Sequence, residues 1–541
     1  MKVIFPYFML LLVFFGCKNK VKEEIKSGLI AEEISWHLKD YEIDSVPGIS
    51  LEKAFNEMSE INFGQDVIVA VIDSHIDLNH EDLAEQIYTN EGEIPNNGID
   101  DDENGYIDDF HGWNFLGYKN EKNSLRYALR VHTRIVKRLD SIFNGKEISD
   151  ISSAQLNNYK KFKLSKEKLN ASIEESKLYL EQFPLYKDIF KKAYNTFGDR
   201  VNLLDGYTLE ELETLKPTNE DEENQISNLK SFLAAGITYQ YLLNEEKNDL
   251  VNIHIGNNIN YNERAKIGDD PYNYNEKYYG NNFTDVHYNV DHGTQIAGIL
   301  AATRDNGVGI RGISNKIKIM PLPILPEKGA ENEKDFLNAV RYAVDNGARI
   351  INFSSGISIP DNEDVFFKAL KYAEKNNVLI VNAAGNSGLN NDIDKNNHYP
   401  RDVSRNGETV NNFIKVGASS KYPDEKLFCS WSNYGLKTVD LFAPGEEIRT
   451  LSKDIPLVYN DNSGSSISAA LTSGVAALIL SKYPNISAEK LKEIILESGQ
   501  EFDVIAVTME SDTTHFSQVS KSGKILNAYN ALKLAAEYSK N

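Results

Sequence analysis

The sequence predicts an α/β fold: a mainly parallel sheet with helices on both faces, interrupted by an inserted helical subdomain. Three observations predict it. Short continuous apolar runs rich in β-branched residues recur along the chain, led by Val67-Ile68-Val69-Ala70-Val71-Ile72, and such runs mark strands buried on both faces. Segments with helical periodicity lie between them. Residues 125–250 change in character, being rich in Lys, Glu, Leu and Tyr and poor in Gly and Pro.

Taken in chain order, residues 1–16 read as an export signal, with Lys2, an apolar run from Val3 to Phe15, and then Gly16 before Cys17. The Gly-Cys ending resembles a bacterial lipoprotein signal, which implies lipid on Cys17; Phe14 and Phe15 depart from that pattern, and the alternative is an ordinary signal cut near a chance cysteine. Residues 17–65 form a tether and N-terminal segment with a turn at Pro47-Gly48. The first part of the main domain, 66–124, opens on the strand at Val67. Its second part, 251–541, carries strands at Ile317–Met320, Ala348–Phe353, Val378–Val381 and Phe413–Val416, with helices at Glu333–Asn346 and Asp364–Asn376 between them. Strands alternating with helices imply βαβ units. In the insertion, Leu164, Leu169, Ile173 and Leu180 recur at roughly helical spacing, and Ser165 before Lys166-Glu167-Lys168 marks a helix start. The heptads are too short-lived for a long coiled coil.

Composition narrows the function classes. Acidic residues outnumber basic ones, 80 to 58, for a net charge of −22, and no Lys/Arg-rich run stands out. Nucleic acid is therefore excluded as the expected partner, and most of the acidity serves solubility. Beyond the first segment, no apolar run is long enough to span a bilayer. The two cysteines are Cys17 and Cys429. With Cys17 lipidated no internal disulfide is possible, and Cys429 in Phe428-Cys429-Ser430-Trp431 reads as a small, half-buried residue rather than a nucleophile.

Three segments carry the chemistry. Asp73 directly follows the first strand, at the carboxyl end of the sheet where open α/β folds place their sites; alone, such an Asp is more often a cap or a turn residue. In Asp291-His292-Gly293-Thr294, followed by small residues, an imidazole stands at a helix start; alone, it reads as a surface or core histidine. In Gly464-Ser465-Ser466-Ile467-Ser468-Ala469-Ala470, small residues let a hydroxyl stand exposed at the start of a buried helix; alone, this is a Ser-rich cap. Together, and in this order, the segments resemble the Asp, His and Ser motifs of the subtilisin-like protease family, over roughly residues 66–120 and 260–535. The resemblance implies the family's three-layer fold and a catalytic triad of Asp73, His292 and Ser466.

Asn382-Ala383-Ala384-Gly385-Asn386 resembles the family's oxyanion segment, implying Asn386 and the Ser466 backbone N–H as donors to the developing oxyanion. Ile351-Asn352-Phe353-Ser354-Ser355-Gly356 resembles the edge strand that pairs with the substrate backbone. Ser354, Ser355, Gly356, Ala384 and Gly385 are thus the expected substrate-binding residues. The chain departs from the family at His75 (usually Gly), Gln295 (a second His), Ser465 (Thr) and Ala470 (Pro). None removes a catalytic atom, but Gly at position 75 is valued for backbone freedom.

One acidic loop points to a cation. In Asn97 to Asp109, Asp100, Asp102 and Asn104 alternate, Gly105 permits a sharp turn, and Asp108 falls ninth, matching the first nine positions of an EF-hand-type loop. The twelfth position is His111 instead of Glu. The expectation is a structural Ca²⁺ on Asp100, Asp102, Asn104 and Asp108, with a solvated acidic turn as the alternative; hard oxygen ligands favour Ca²⁺ over transition metals.

These readings converge on a serine endopeptidase that acts on polypeptides, needs no catalytic cofactor, and is held in the cell envelope by a membrane lipid anchor. The rivals are an inactive envelope-anchored binding protein on the same fold and a calcium-dependent structural lipoprotein. The insertion between Asp73 and His292 is expected to emerge at the active-site rim and to gate large substrates. No separate C-terminal binding domain fits after Leu526-Asn527-Ala528-Tyr529, and the region before Val67 is short for the family's usual inhibitory propeptide.

Overall fold

Strand β1, Val67–Asp73, sends alternate side chains into two different cores. Val67, Val69 and Val71 enter one, while Ala70 and Ile72 enter the other. A run that is apolar at every position is what this arrangement requires, because neither face of the strand meets water. The computed structural model describes residues 35–58, 64–119, 121–198, 207–285, 291–404, 407–452 and 459–540. The export signal, Cys17 and the first part of the tether lie outside the described residues.

The sheet continues with β2 (Ile317–Pro323), β3 (Ile350–Phe353), β4 (Leu379–Ala383), β5 (Phe413–Ser419), β6 (Leu441–Pro444), β7 (Gln500–Glu501) and β8 (Lys524–Ile525), in the spatial order β7-β8-β6-β5-β4-β3-β1-β2. Every neighbouring pair is parallel except β7 with β8. Helices cover both faces. On one side lie α1 (His292–Ala301), α4 (Ser465–Lys482), α5 (Ala488–Ser498) and α6 (Ala528–Tyr538); on the other lie α2 (Glu333–Asp345) and α3 (Glu363–Lys375). Helix α4 is long and apolar enough to cross a membrane, yet 89% of it is buried inside the fold, where it forms the centre of the first core.

The N-terminal segment belongs to this core. Trp36, Leu38, Ile49, Leu51 and Ala54 are buried in the same cluster as Leu532 and Ala535 of α6. The Ala528 N–H donates to the Ile49 carbonyl at 2.7 Å, and Asn527 Nδ2 donates to Ser50 Oγ at 2.9 Å.

Residues 132–261 form a second compact unit. The sequence put the inserted segment at 125–250; Leu125 and Ala128 instead pack in the core on the α2 side of the sheet. Within the unit, Leu156–Phe197 is one helix, and Glu220–Ala234 and Tyr239–Val251 follow. Phe190, Leu229, Phe232 and Leu242 share its own core. The helix start expected at Ser165 lies instead at Leu156. Tyr159 and Phe162 set their rings against Phe143, extending the buried face backward and leaving Ser165 inside the helix.

Candidate active site

Asp73 is the last residue of β1, His292 the first of α1, and Ser466 stands in the first turn of α4. Asn386 follows β4 by three positions. Asp73 and Asn386 thus sit at or just past the carboxyl ends of parallel strands, and His292 and Ser466 begin the helices packed beneath the same sheet.

Asp73 is fully buried, and its Oδ1 accepts the Ser74 N–H at 2.7 Å. His292 Nδ1 lies 2.7 Å from the same oxygen. A carboxylate can only accept, so Nδ1 carries the proton and the neutral ring keeps its lone pair on Nε2. Burial alone would lower the His292 pKa. The Asp73 carboxylate outweighs it, Asp291 adds to the effect, and the pKa stands above the ordinary 6.5. The backbone around the ring is tightly fitted: Ser74 Oγ accepts the Gly293 N–H, and a Cβ at Gly293 would lie 2.5 Å from the Ser74 carbonyl oxygen. Only glycine fits there.

Ser466 Oγ donates to the Ser354 carbonyl at 3.0 Å, and Ser354 Oγ returns a bond to the Ser466 carbonyl at 3.1 Å. Asn386 is turned by its neighbour. Its Oδ1 accepts both the Ser465 N–H (2.9 Å) and the Ser465 hydroxyl (2.8 Å), which leaves the Nδ2 donors directed elsewhere. The departures at Ser465 and Gln295 are absorbed by specific contacts, since Gln295 Oε1 accepts from Asn462 Nδ2 and so ties α1 to the strand before Ser466. His75 has no left-handed backbone, so glycine is not required there; its Nε2 pairs with Ser124 Oγ at 3.0 Å.

One expectation needs correction. Ile351 and Phe353 do not lie on an edge strand, because β3 pairs with β1 on one side and β4 on the other. Only Ser354, Ser355 and Gly356 project past the sheet. Two buried amides fix them: Asn382 Nδ2 donates to the Phe353 and Ser355 carbonyls, and Asn352 Nδ2 donates to Ser354 Oγ. Both asparagines went unread in the sequence, although each is a polar interruption in an apolar run. Ala384 offers no free backbone group, for its N–H donates to Val416 and its carbonyl accepts from Asn391 and Asn433. The Gly385 N–H donates to Ser465 Oγ. Ala384 and Gly385 can therefore form a wall but cannot pair with a bound backbone. Cys429 is buried, which drives its thiol pKa well above the ordinary value and leaves it no nucleophilic role.

The acidic loop is assembled differently from an EF-hand. Carboxylate oxygens of Glu93, Asp100 and Asp102 lie within 4.8 Å of one another. Asp108 is not among them; its two oxygens accept the N–H groups of Asn97 and Gly98, while those of Asp100 accept from Asn104 and Gly105 and those of Asp102 from Asn104 and Asn90. Asn104 spends its amide nitrogen on Asp102 and Asp109 and its oxygen on the Tyr106 N–H. Glu93 lies outside the nine-residue pattern, and only the fold brings it in. It is 4% exposed; Oε1 accepts from Asp101 and Asp102, while the buried Oε2 has no hydrogen-bond partner. Burial raises its pKa, and the nearby Asp109 and Asp102 charges add to the rise.

Comparison with known proteins gives consistent matches. The family model described as the subtilase family of peptidases (S8) matches residues 64–518. Halolysin of Haloferax mediterranei is 39% identical over 216 residues, 39% of this chain and 37% of that protein. The cell wall-associated protease of Bacillus subtilis is 31% identical over 40% of this chain and 22% of its own length. The thermophilic serine proteinase of Bacillus sp. strain AK1 is 31% identical over 45% of this chain and 52% of its own. The chain thus spans from about a fifth to about half of these relatives.

Proposed function

Because this chain belongs to the subtilase family, we propose that it is a serine endopeptidase hydrolysing peptide bonds through Asp73, His292, Ser466 and an acyl-enzyme intermediate. The 2.7 Å Asp73–His292 pair, at the start of a helix that packs against α4, carries this reading. Ser466 Oγ leaves the Ser354 carbonyl and attacks the substrate carbonyl carbon while His292 Nε2 takes its proton. Asp73 holds the ring and stabilises the imidazolium. Negative charge develops on the carbonyl oxygen, where Asn386 Nδ2 and the Ser466 backbone N–H, aided by the α4 N-terminus, donate to it. His292 gives its proton to the leaving amine, and water then frees the acyl group by the same steps in reverse. A fluorophosphonate probe, which labels only an activated serine, tests the reading; an unlabelled, folded protein would favour a binding role.

The raised His292 pKa sets the pH dependence. Nε2 must be unprotonated to act as base, so kcat/KM rises with pH along a limb whose midpoint lies above 6.5. Asp291→Asn removes one charge that favours the imidazolium and shifts the midpoint down. A midpoint at or below 6.5 in the unaltered enzyme contradicts the raised His292 pKa.

The converging oxygens of Glu93, Asp100 and Asp102, one of them buried without a partner, fit a hard divalent cation, and we assign them as holders of a structural Ca²⁺. The ion would neutralise like charges that otherwise repel. A ligand bound only by the folded state, at a hundredfold excess over its Kd, stabilises it by about 2.7 kcal/mol. Chelation therefore lowers the melting temperature, and Asp102→Ala removes most of that sensitivity. Coincident melts with and without chelator would dismiss the site. Anchoring through Cys17 is checked separately, by fatty-acid labelling that Cys17→Ser abolishes; labelling retained in that variant rejects it.

A further inference from the structure

The segment Ser354–Gly356 and the segment Ala384–Asn386 flank the space in front of Ser466. A substrate whose carbonyl carbon meets Ser466 Oγ and whose carbonyl oxygen turns to Asn386 must send the side chain of that same residue between the two segments. An imidazole lies against both segments. A Cβ added to Gly356 would lie 2.3 Å from His398 Cε1 and 2.8 Å from its Nδ1, and one added to Gly385 would lie 3.1 Å from His398 Cδ2. The ring touches the α-carbon faces of both glycines, one from each wall.

The backbone that carries the ring is held in place. On one side of it, Tyr399 exchanges both backbone hydrogen bonds with Ile357, at 2.9 and 3.1 Å. Beneath it, the buried Lys415 donates from Nζ to the His398 carbonyl (2.6 Å) and to the Pro400 carbonyl (2.7 Å). These bonds keep the Cβ of His398 beside both glycines. Burial, with the Lys415 charge behind it, lowers the ring's pKa to about 3, so it is neutral at ordinary pH.

We propose that His398 closes the floor of the slot for the residue on the acyl side of the scissile bond, restricting cleavage to bonds that follow small residues such as Gly, Ala and Ser. The proposal rests on reading these two segments as the substrate's walls.

The test uses full-length protein and peptide substrates that differ only at that residue, Ala against Phe. Pockets discriminate by about 10- to 200-fold for a methylene-sized misfit, so unaltered enzyme is expected to favour Ala by at least about tenfold in kcat/KM. His398→Ala raises the Phe-to-Ala ratio by a similar factor. Equal cleavage after Phe and Ala by the unaltered enzyme overturns the proposal without any variant being needed. So does an unchanged ratio in a His398→Ala protein that still melts cooperatively and takes the fluorophosphonate label. Absence of label from every protein, the unaltered one included, would instead reject the hydrolase reading on which the proposal stands.

Discussion

Ser466→Ala is expected to abolish fluorophosphonate labelling and to cut peptide hydrolysis by roughly 10⁶-fold, the loss seen when the nucleophile is removed from such a triad. The size follows from the unit's cooperative nature. Without Oγ no acyl bond forms, and His292 has no proton to take, so its pairing with Asp73 accomplishes nothing. Stability should change far less. The substitution removes the bond from Ser466 Oγ to the Ser354 carbonyl, worth about 1 kcal/mol net, while the Ser354 hydroxyl still donates to the Ser466 carbonyl. Ser465→Ala is the internal control. It deletes one of the two bonds that orient Asn386, together with the bond from the Gly385 N–H, but leaves the Ser465 backbone N–H on Asn386, so activity should fall by roughly 5- to 30-fold, the kinetic equivalent of one to two net hydrogen bonds. Labelling that persists in Ser466→Ala would refute the assignment, whatever the rates.

Asn386→Ala should lower kcat by about 10²–10³-fold and leave KM nearly unchanged. Its amide oxygen is fully engaged by Ser465, so the free donors are aimed before substrate arrives. They reward charge that exists only in the transition state, which is why the loss falls on kcat. Asn386→Asp sharpens the test. A carboxylate can still accept both bonds from Ser465, yet it presents an acceptor and a negative charge where the oxyanion forms. Its rate should therefore fall at least as far as that of the Ala variant. A loss confined to KM in either variant would mean that Asn386 binds the ground state and is no oxyanion donor.

Much of the sheet was legible because its strands are buried on both faces and therefore apolar throughout. The apolar run at Ile317–Met320 stops short of the end of β2, which continues through Pro321 to Pro323; as an edge strand it tolerates their missing N–H groups. β6, with four residues, and β7 and β8, with two each, are too short to leave a pattern. The positions of Asp73, His292 and Ser466 were legible because each sits in a local motif fixed by the backbone, such as Gly293 against Ser74. Glu93 and His398 were not. Each acquires its environment from chain far away in sequence, Glu93 from the acidic turn and His398 from two glycines on neighbouring strands' ends. The spacing of Asp100, Asp102, Asn104 and Asp108 likewise does not show that Glu93, from outside the turn, joins Asp100 and Asp102.

The joining of residues 35–58 to the last helix bears on how long such an enzyme would survive its own company. A peptidase in solution is surrounded by copies of itself, and frayed chain ends and loop tips are where digestion begins. Here Ile49 and Ser50 are hydrogen-bonded to Ala528 and Asn527, and the apolar side chains around them are shared between the two segments. Neither segment can peel away alone without exposing the other's buried face, so opening either one costs the contacts of both. Digestion of these two segments would then have to await their joint opening, and the lifetime of the enzyme at high concentration becomes tied to the core that they share.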